Sequence, residues 1–271
     1  MKAKKIIFYL LGGVSIGILV FLLVIFFTWM EDKKNTKFLS EELRKTVFVK
    51  EEKNFISHES FINPPDDKED IYWKYIATDY LRVDFDTLIE KNKDTVAWIQ
   101  VAGTSVDYPV VQSSDNQYYL THSFDLSSSQ VGWIYADYHN NFEVFDQNTI
   151  IYGYMGLDET MFGSLKKVLE EEWIADEMNH IVKLSTPKEN IIWQIFSTYT
   201  VQKENYNMVS SFSDEKSYQE FLNMITKKST FSFPTSVSID DKVLTLSTNF
   251  NYSEKQLIVH AKMIKKETIS S

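Results

Sequence analysis

In LTLSTNFNYSEKQLIVHA, residues 244–261, two short apolar runs flank a polar loop. Leu244 and Leu246 alternate with polar residues, and apolar residues return in LIV before His260. Alternation of this kind is typical of β-strands with one buried face. The segment therefore predicts a strand, a loop and a second strand, with Asn249 at the end of the first.

Similar short runs recur along the rest of the chain after Val83. Predicted strands cover 97–101, 106–112, 131–138, 148–154, 180–186, 191–201, 242–248 and 256–264. Two helices interrupt them, near 163–172 and 214–228, and the second carries Tyr218, Phe221, Leu222 and Ile225 on one face. The pattern predicts a mainly β, predominantly antiparallel barrel with peripheral helices.

The N-terminus predicts a transmembrane helix. Residues 6–30 carry no ionisable acid or base except Tyr9, and this 25-residue run exceeds the roughly 20 residues that span a bilayer. Three lysines, at positions 2, 4 and 5, precede it, and the positive-inside rule then places residues 1–5 in the cytoplasm and the rest outside. A cleaved signal peptide is the alternative, but the run is long for one and no small-x-small site follows.

The segment 31–70 is predicted to be an extracytoplasmic stalk. NPPDDKED at 63–70 breaks any long helix, and a solvated spacer suits 31–62. After it, a helix is predicted to pack on the domain through Ile71, Tyr72, Tyr75, Ile76 and Tyr80. The main domain is therefore expected to cover 71–271.

Composition removes several function classes. The chain has no cysteine, which excludes disulfides, thiolate metal sites and thiol nucleophiles. All 38 acidic residues but only 25 basic ones follow residue 30, a net charge of −13 that disfavours nucleic-acid binding. The five histidines show no HxH or HExxH spacing, and we expect neither a metal nor a cofactor.

Four segments together resemble the class B sortase family. They are DTVAWIQVAGTSVDYPVVQ (94–112), NQYYLTHSF (116–124), NTIIYGYMGLDETMFGSL (148–165) and the paired VLTLSTN and QLIVHAKMI (243–249 and 256–264), within roughly 71–266. The resemblance implies an eight-stranded barrel and a membrane-anchored cysteine transpeptidase of Gram-positive bacteria. Such enzymes cut a sorting signal after its Thr, hold a thioester, and transfer the product to a cell-wall amine.

The family's three catalytic residues are replaced in this chain. Its histidine follows IIYG, its cysteine follows TLST and its arginine begins the last strand, where this chain has Tyr154, Asn249 and Gln256. The lone pair of the Asn249 amide nitrogen is delocalised into the carbonyl group, so this nitrogen cannot attack a carbonyl carbon as a thiolate does. A tyrosine phenol ordinarily titrates near pH 10 and is a poor base, and glutamine lacks the positive charge of arginine.

The resemblance also implies a groove formed by Tyr154, Ser247, Thr248, Asn249, Gln256 and His122. Ser247 and Thr248 carry hydroxyls, but without a histidine at 154 neither has an evident base. His122 and His260 both match family positions, and a structural hydrogen-bonding role is expected for each. Asp137 either orients loops near the cleft or caps a solvated turn.

Three hypotheses follow from the retained frame and the missing chemistry. The first is an inactive sortase-like protein of the cell membrane, a pseudoenzyme that binds a sorting-signal-like peptide or another cell-wall or envelope protein. The second is an active transpeptidase or hydrolase with a displaced Ser or Thr nucleophile. The third is a structural remnant that binds no ligand.

Overall fold

The computed structural model describes residues 2–47, 56–156, 159–202, 208–249 and 254–270. The helices are α1 (Lys2–Val47), α2 (Tyr72–Tyr75), α3 (Phe85–Lys91), α4 (Glu171–Ala175) and α5 (Glu215–Lys228). The strands are β1 (Ile56–Phe61), β2 (Thr95–Val101), β3 (Asp107–Val111), β4 (Tyr135–Ala136), β5 (Asn148–Tyr154), β6 (Ile181–Ser185), β7 (Glu189–Gln202), β8 (Val243–Asn249) and β9 (Lys255–Ser270). Short 3₁₀ helices cover Tyr118–Leu120, Gly163–Leu169 and Glu177–Asn179.

Eight strands close into a barrel in the order β9, β7, β6, β2, β3, β4, β5, β8, and β8 pairs back with β9. The ninth strand, β1, adds to the outer edge of β9. Two of the pairings, β5 with β8 and β3 with β4, are parallel, and the others are antiparallel. The predicted mainly β, eight-stranded barrel with peripheral helices is confirmed.

Two predicted elements are shorter or less regular in the structure. The strand expected at 131–138 is reduced to Tyr135–Ala136, because Gly132 has a φ of 60° and the N–H of Trp133 donates to the carbonyl of Tyr119. The helix expected at 163–172 is a 3₁₀ helix followed by α4, since Glu170 between them is extended. Helix α5 begins as predicted, with a capping box formed by Asp214 and Ser217.

Helices cover two outer faces of the barrel. On α5, the predicted apolar residues Tyr218, Phe221, Leu222 and Ile225 are buried against residues of β7, β8 and β9. Elsewhere Ile71, Tyr72 and Tyr75 pack against Ile181, Ile192 and Ile264, which agrees with the packing expected for this segment.

Helix α1 differs from the sequence expectation after residue 30. It continues without a break to Val47, and Thr36, Ser40, Leu43 and Val47 are buried along one side. The carbonyl of Val47 accepts from the N–H of Asp84, and the guanidinium of Arg44 lies 2.6 Å from the buried carboxylate of Asp107. The solvated spacer expected over 31–62 is therefore wrong for 36–47, because residues at helical spacing pack on the barrel.

The first part of α1 has the length and composition of a membrane-spanning helix. From Leu11 onwards, its most apolar stretch has a mean hydropathy of 2.6 and is not buried against the rest of the protein. The same features fit a membrane span or a signal sequence near an N-terminus.

Candidate functional site

Strands β5 and β8 bring positions 154 and 249 side by side. The two strands are parallel, and their register pairs Tyr152 with Ser247 and Tyr154 with Asn249 as neighbouring Cα positions. Because both strands end at this pair, the two residues lie at the same rim of the barrel. The backbone therefore places positions 154 and 249 at the ends of neighbouring strands. The side chain of Asn249 lies outside the described residues.

Position 256 belongs to the same end of the barrel. In the antiparallel β8–β9 pair, Ser247 lies opposite Ile258. Two residues further towards the rim come Asn249 on β8 and Gln256 on β9. Gln256 is half-buried and pairs on its other side with Val201 of β7. The backbone thus gathers positions 154, 249 and 256 on three strands at one rim.

Thr248 is fully buried, and its hydroxyl is part of the β8–β9 connection. Thr248 Oγ1 accepts from the N–H of Leu257 at 2.9 Å and lies 3.4 Å from the carbonyl oxygen of the same residue. These bonds fix the direction of the hydroxyl inside the strand pair, away from solvent. The side chain of Thr248 therefore has a structural role, since it accepts a backbone hydrogen bond from β9 at the rim.

Ser247 is also fully buried. Its Oγ has no hydrogen-bond partner in the part of the chain that the structure describes. A serine acts as a nucleophile when an adjacent base takes its proton. No such base contacts Ser247 among these residues.

Tyr154 forms one wall of the rim together with the segment that follows β5. Its side chain is only 8% exposed, and its carbonyl accepts from the N–H of Phe162 at 3.0 Å. A Cβ added at Gly153 would lie 2.5 Å from the ring of Phe162, so this position has no room for a side chain. Met155 and Met161 form an isolated bridge, and the N–H of Met161 donates to Tyr108 Oη at 3.1 Å.

Asp137 organises the loops beside β5. Its carboxylate accepts from Tyr152 Oη at 2.9 Å, from Asn116 Nδ2 at 2.8 Å and from the backbone N–H of His139 at 3.0 Å. Burial opposes ionisation of this carboxyl, but the hydrogen bonds from His139, Asn116 and Tyr152 outweigh it and lower the pKa of Asp137. Of the two roles expected from the sequence, the loop-orienting one fits this buried position, because Tyr152 is the β5 neighbour of Ser247.

His260 lies in the interior, on β9. Thr245 Oγ1 donates to Asn148 Oδ1 at 2.6 Å and therefore accepts from His260 Nδ1 at 2.9 Å. The other ring nitrogen, Nε2, is 3.0 Å from Tyr199 Oη, which donates to it. Complete burial lowers the pKa of His260 to about 3, so the ring is neutral at physiological pH. The hydrogen-bonding role expected for His260 agrees with these contacts.

His122 occupies a different region. Its ring stacks on Tyr118 with centroids 4.1 Å apart, and Nδ1 lies 2.9 Å from the carbonyl oxygen of Tyr118. The described contacts of His122 are with the segment 118–128 and none joins it to Tyr154, Thr248 or Gln256. Its place in the groove stays a prediction.

Two features of the site region were not apparent in the sequence. Tyr108 holds the segment after β5, because its hydroxyl oxygen accepts from the N–H of Met161. Asn148 holds residues 209–210: its side-chain Nδ2 donates to the carbonyl of Val209, and its backbone N–H donates to the carbonyl of Ser210. Both residues lie in predicted strands, but the sequence does not indicate their partners 53 and 61 residues away. Among the described residues, no group of three or more metal-ligating side chains converges.

Comparison with known proteins gives the family. A scan against models of known protein families returns no match. Among characterised relatives, sortase B of Staphylococcus aureus is 35% identical over 191 residues, covering 69% of this chain and 77% of the relative. The chain belongs to the class B sortase family. Sortase B of Listeria monocytogenes is 29% identical over 208 residues, covering 74% of this chain and 84% of the relative.

Solved class B sortases share the fold. Sortase B of Bacillus anthracis in complex with AAEK1 superposes with a TM-score of 0.70 at 29% identity, covering 87% of this chain and 99% of that structure. The Staphylococcus aureus sortase B–substrate complex gives a TM-score of 0.63 at 34% identity, covering 67% of this chain and 84% of that one. These solved sortases therefore share the fold of this chain over most of their length.

Proposed function

We propose that this protein is a membrane-anchored class B sortase-like pseudoenzyme that binds a cell-envelope peptide or protein without cutting it. One observation carries the proposal. The register of β5 and β8 pairs Tyr154 with Asn249 at the rim, and it is the sequence resemblance that matches these two positions to the family's histidine and cysteine. The architecture of the site is thus kept while its nucleophile and base are replaced.

The chemistry at the rim supports the absence of transpeptidation. Asn249 offers an amide in place of a thiolate, and the chain has no cysteine to supply one elsewhere. A hydroxyl nucleophile at Thr248 would have to leave its bonds to Leu257, and Ser247 has no contacting base among the described residues. Loss of a nucleophile lowers turnover by roughly a million-fold in triad enzymes.

The retained rim supports peptide binding. A Staphylococcus aureus relative has been solved as a substrate complex, and this chain shares its barrel. Gln256 keeps two amide donors that can bind a peptide carbonyl, although the charge of an arginine is lost. We infer that the ligand is a sorting-signal-like peptide or an envelope protein presenting one.

The N-terminal segment supports membrane attachment. Residues 6–30 would cross the bilayer, residues 1–5 would form the cytoplasmic tail, and the barrel in 71–271 would face outside. The intervening 31–70 would act as the connection to the membrane. Its first part is the continuation of α1, which packs on the barrel through Leu43 and Val47.

Restoration of the catalytic residues tests the proposal. The triple variant Tyr154→His, Asn249→Cys, Gln256→Arg is expected to transfer a Thr-containing sorting peptide to an amine acceptor. The matched control is Asn249→Cys alone, which should stay nearly silent because its thiol lacks the neighbours that lower its pKa and stabilise the oxyanion. A folded triple variant that neither binds nor transfers the peptide would instead support the structural remnant.

A further inference from the structure

A β-hairpin over residues 121–129 lies beside the first turns of α1 that follow the apolar run. His122 and Ser128 form a bridge, and the N–H groups of Ser123 and Ser129 donate to the carbonyls of Ser127 and Thr121 at 2.8 Å each. The hairpin also bounds, with residues 32–42 of α1, a cavity of about 290 Å³. It is thus an ordered projection of the barrel at the side of the helix.

The tip of this hairpin presents an apolar side chain to the outside. Phe124 is buried in the barrel core, whereas Leu126, two residues later, is 48% exposed. Leu126 has a φ of 64°, a left-handed conformation that costs a non-glycine residue free energy, and its N–H donates to the carbonyl of Ser123 at 3.0 Å. Leu126 therefore holds an apolar side chain at the surface of the barrel, in a turn whose backbone conformation costs free energy.

The level of the hairpin relative to a membrane follows from α1. The carboxylate of Asp32 accepts from the backbone N–H of Gln130, next to the hairpin, at 3.0 Å. Asp32 lies two residues, or about 3 Å along a helix, after the last apolar residue, Met30. Trp29 packs against the barrel core from within the apolar run. Tryptophan is enriched at membrane–water interfaces, so this part of the barrel lies close to the lipid headgroups.

The length of the apolar run favours tilting of α1. Its 25 residues extend about 38 Å, against a hydrocarbon thickness of about 30 Å. A tilted helix that is fixed to the barrel brings one side of the barrel down towards the bilayer. The turn before the hairpin adds exposed Leu120 and Tyr118 to Leu126.

We propose that the hairpin 121–129 rests on the bilayer that α1 crosses, with Leu126 among the lipid headgroups. This inference rests on the proposed membrane anchor. It gives the barrel a second contact with the membrane besides the helix, and so a fixed face towards the lipid. The partner is the lipid surface itself.

The absence of cysteine makes a direct test simple. Leu126→Cys and Met224→Cys in the full chain each provide a single site for an NBD fluorophore, since the natural sequence offers no other thiol. Met224 is a matched control, because it is 40% exposed and lies on α5, which packs against β7, whereas the hairpin adjoins α1. The proteins are reconstituted in phosphatidylcholine vesicles that carry nitroxide-labelled headgroups. A neutral lipid avoids charge repulsion from the acidic domain.

We expect the label at position 126 to be quenched several-fold more than the label at 224, with a blue-shifted emission. Gln130→Cys gives a second reporter whose backbone N–H keeps its bond to Asp32, and it should be quenched as well. Equal, weak quenching at 126 and 224 in protein that floats with the vesicles would overturn the hairpin contact and leave the anchor intact. Protein that does not float would overturn both. A blue shift at 126 without quenching would place the hairpin against a second copy of the chain and overturn the lipid contact.

Discussion

Asn249 and Tyr154 end two neighbouring parallel strands, and the hydroxyl of Thr248 ties the first of them to β9. Asn249 thus directly follows Thr248, whose hydroxyl oxygen accepts from the backbone N–H of Leu257. Ser247, the residue before Thr248, is buried. The two described hydroxyls next to position 249 are therefore buried, and neither contacts a side chain that could act as its base.

Thr248 should matter for stability. Thr248→Val removes the acceptor of the buried N–H of Leu257, and an unpaired buried donor costs about 1–3 kcal/mol. Thr248→Ser keeps the oxygen and should lose much less. Urea unfolding of the two variants measures the difference in free energy of unfolding. Equal stabilities would show that the hydroxyl is not used as described.

His260 should make stability depend on pH. Its pKa is about 3 in the folded protein and ordinarily 6.5, so the unfolded chain takes up the proton first as the pH falls. The stability contributed by neutral His260 is present above pH about 6.5 and is lost progressively towards pH 3, by several kcal/mol in all.

The measurement compares the free energy of unfolding of wild type and His260→Gln between pH 7.5 and about 4. His260 is the one titratable group by which the two proteins differ. The gap between the two proteins should shrink as the pH falls. Thr248→Ser, which changes no titratable group, is the control and should show a gap that does not vary with pH. A constant gap for His260→Gln as well would contradict the buried network.

Among the helices and strands, the main feature that the sequence did not predict is the continuation of α1 onto the barrel. Leu43 is fully buried in the core, whereas Phe38, five residues earlier on the same helix, is 68% exposed. Leu43→Ala should destabilise the protein by about 2–5 kcal/mol, and Phe38→Ala should be nearly neutral. Chemical unfolding of the full chain in detergent tests this pair. Similar small losses in both variants would mean that 36–47 does not pack in solution.

The strands could be predicted from sequence where alternation or apolar runs were strong, as in 148–154 and 242–248. Two elements could not be. The side of α1 that meets the barrel includes Thr36 and Ser40, which are polar and give no apolar periodicity. Strand β1, ISHESF, is polar because it only adds to the edge of β9, so its pairing depends on how far β9 extends. Positions 154, 249 and 256 could be placed because the family resemblance fixes their strands, but the contacts of Tyr108 and Asn148 depend on distant loops.

For the whole molecule, the orientation across the membrane is a separate prediction. Lysines at positions 2, 4 and 5 precede the apolar run, so the barrel should lie outside the cell. Protease added to intact, wall-stripped cells should digest the barrel and leave a cytoplasmic marker intact. Protection of the barrel until the cells are lysed would reverse the orientation.

The closed barrel gives this chain the frame of a class B sortase, and we propose that this frame is held at the membrane without sortase chemistry. The frame consists of the eight strands, the β5–β8 register and the packed α1. We attribute the proposed loss of bond-making chemistry to positions 154, 249 and 256. Peptide binding and peptide cleavage are independent properties, and both can be measured with the same peptide.

The most direct measurement uses the purified wild-type protein and a fluorescent Thr-containing sorting peptide, with peptide binding read by anisotropy and cleavage and covalent adducts read by mass spectrometry. We expect saturable binding, no cleavage above that of a matched protein without the groove, and no increase in the mass of the protein. Cleavage after the Thr, or a covalent acyl adduct at Ser247, Thr248 or any other residue, would contradict the account.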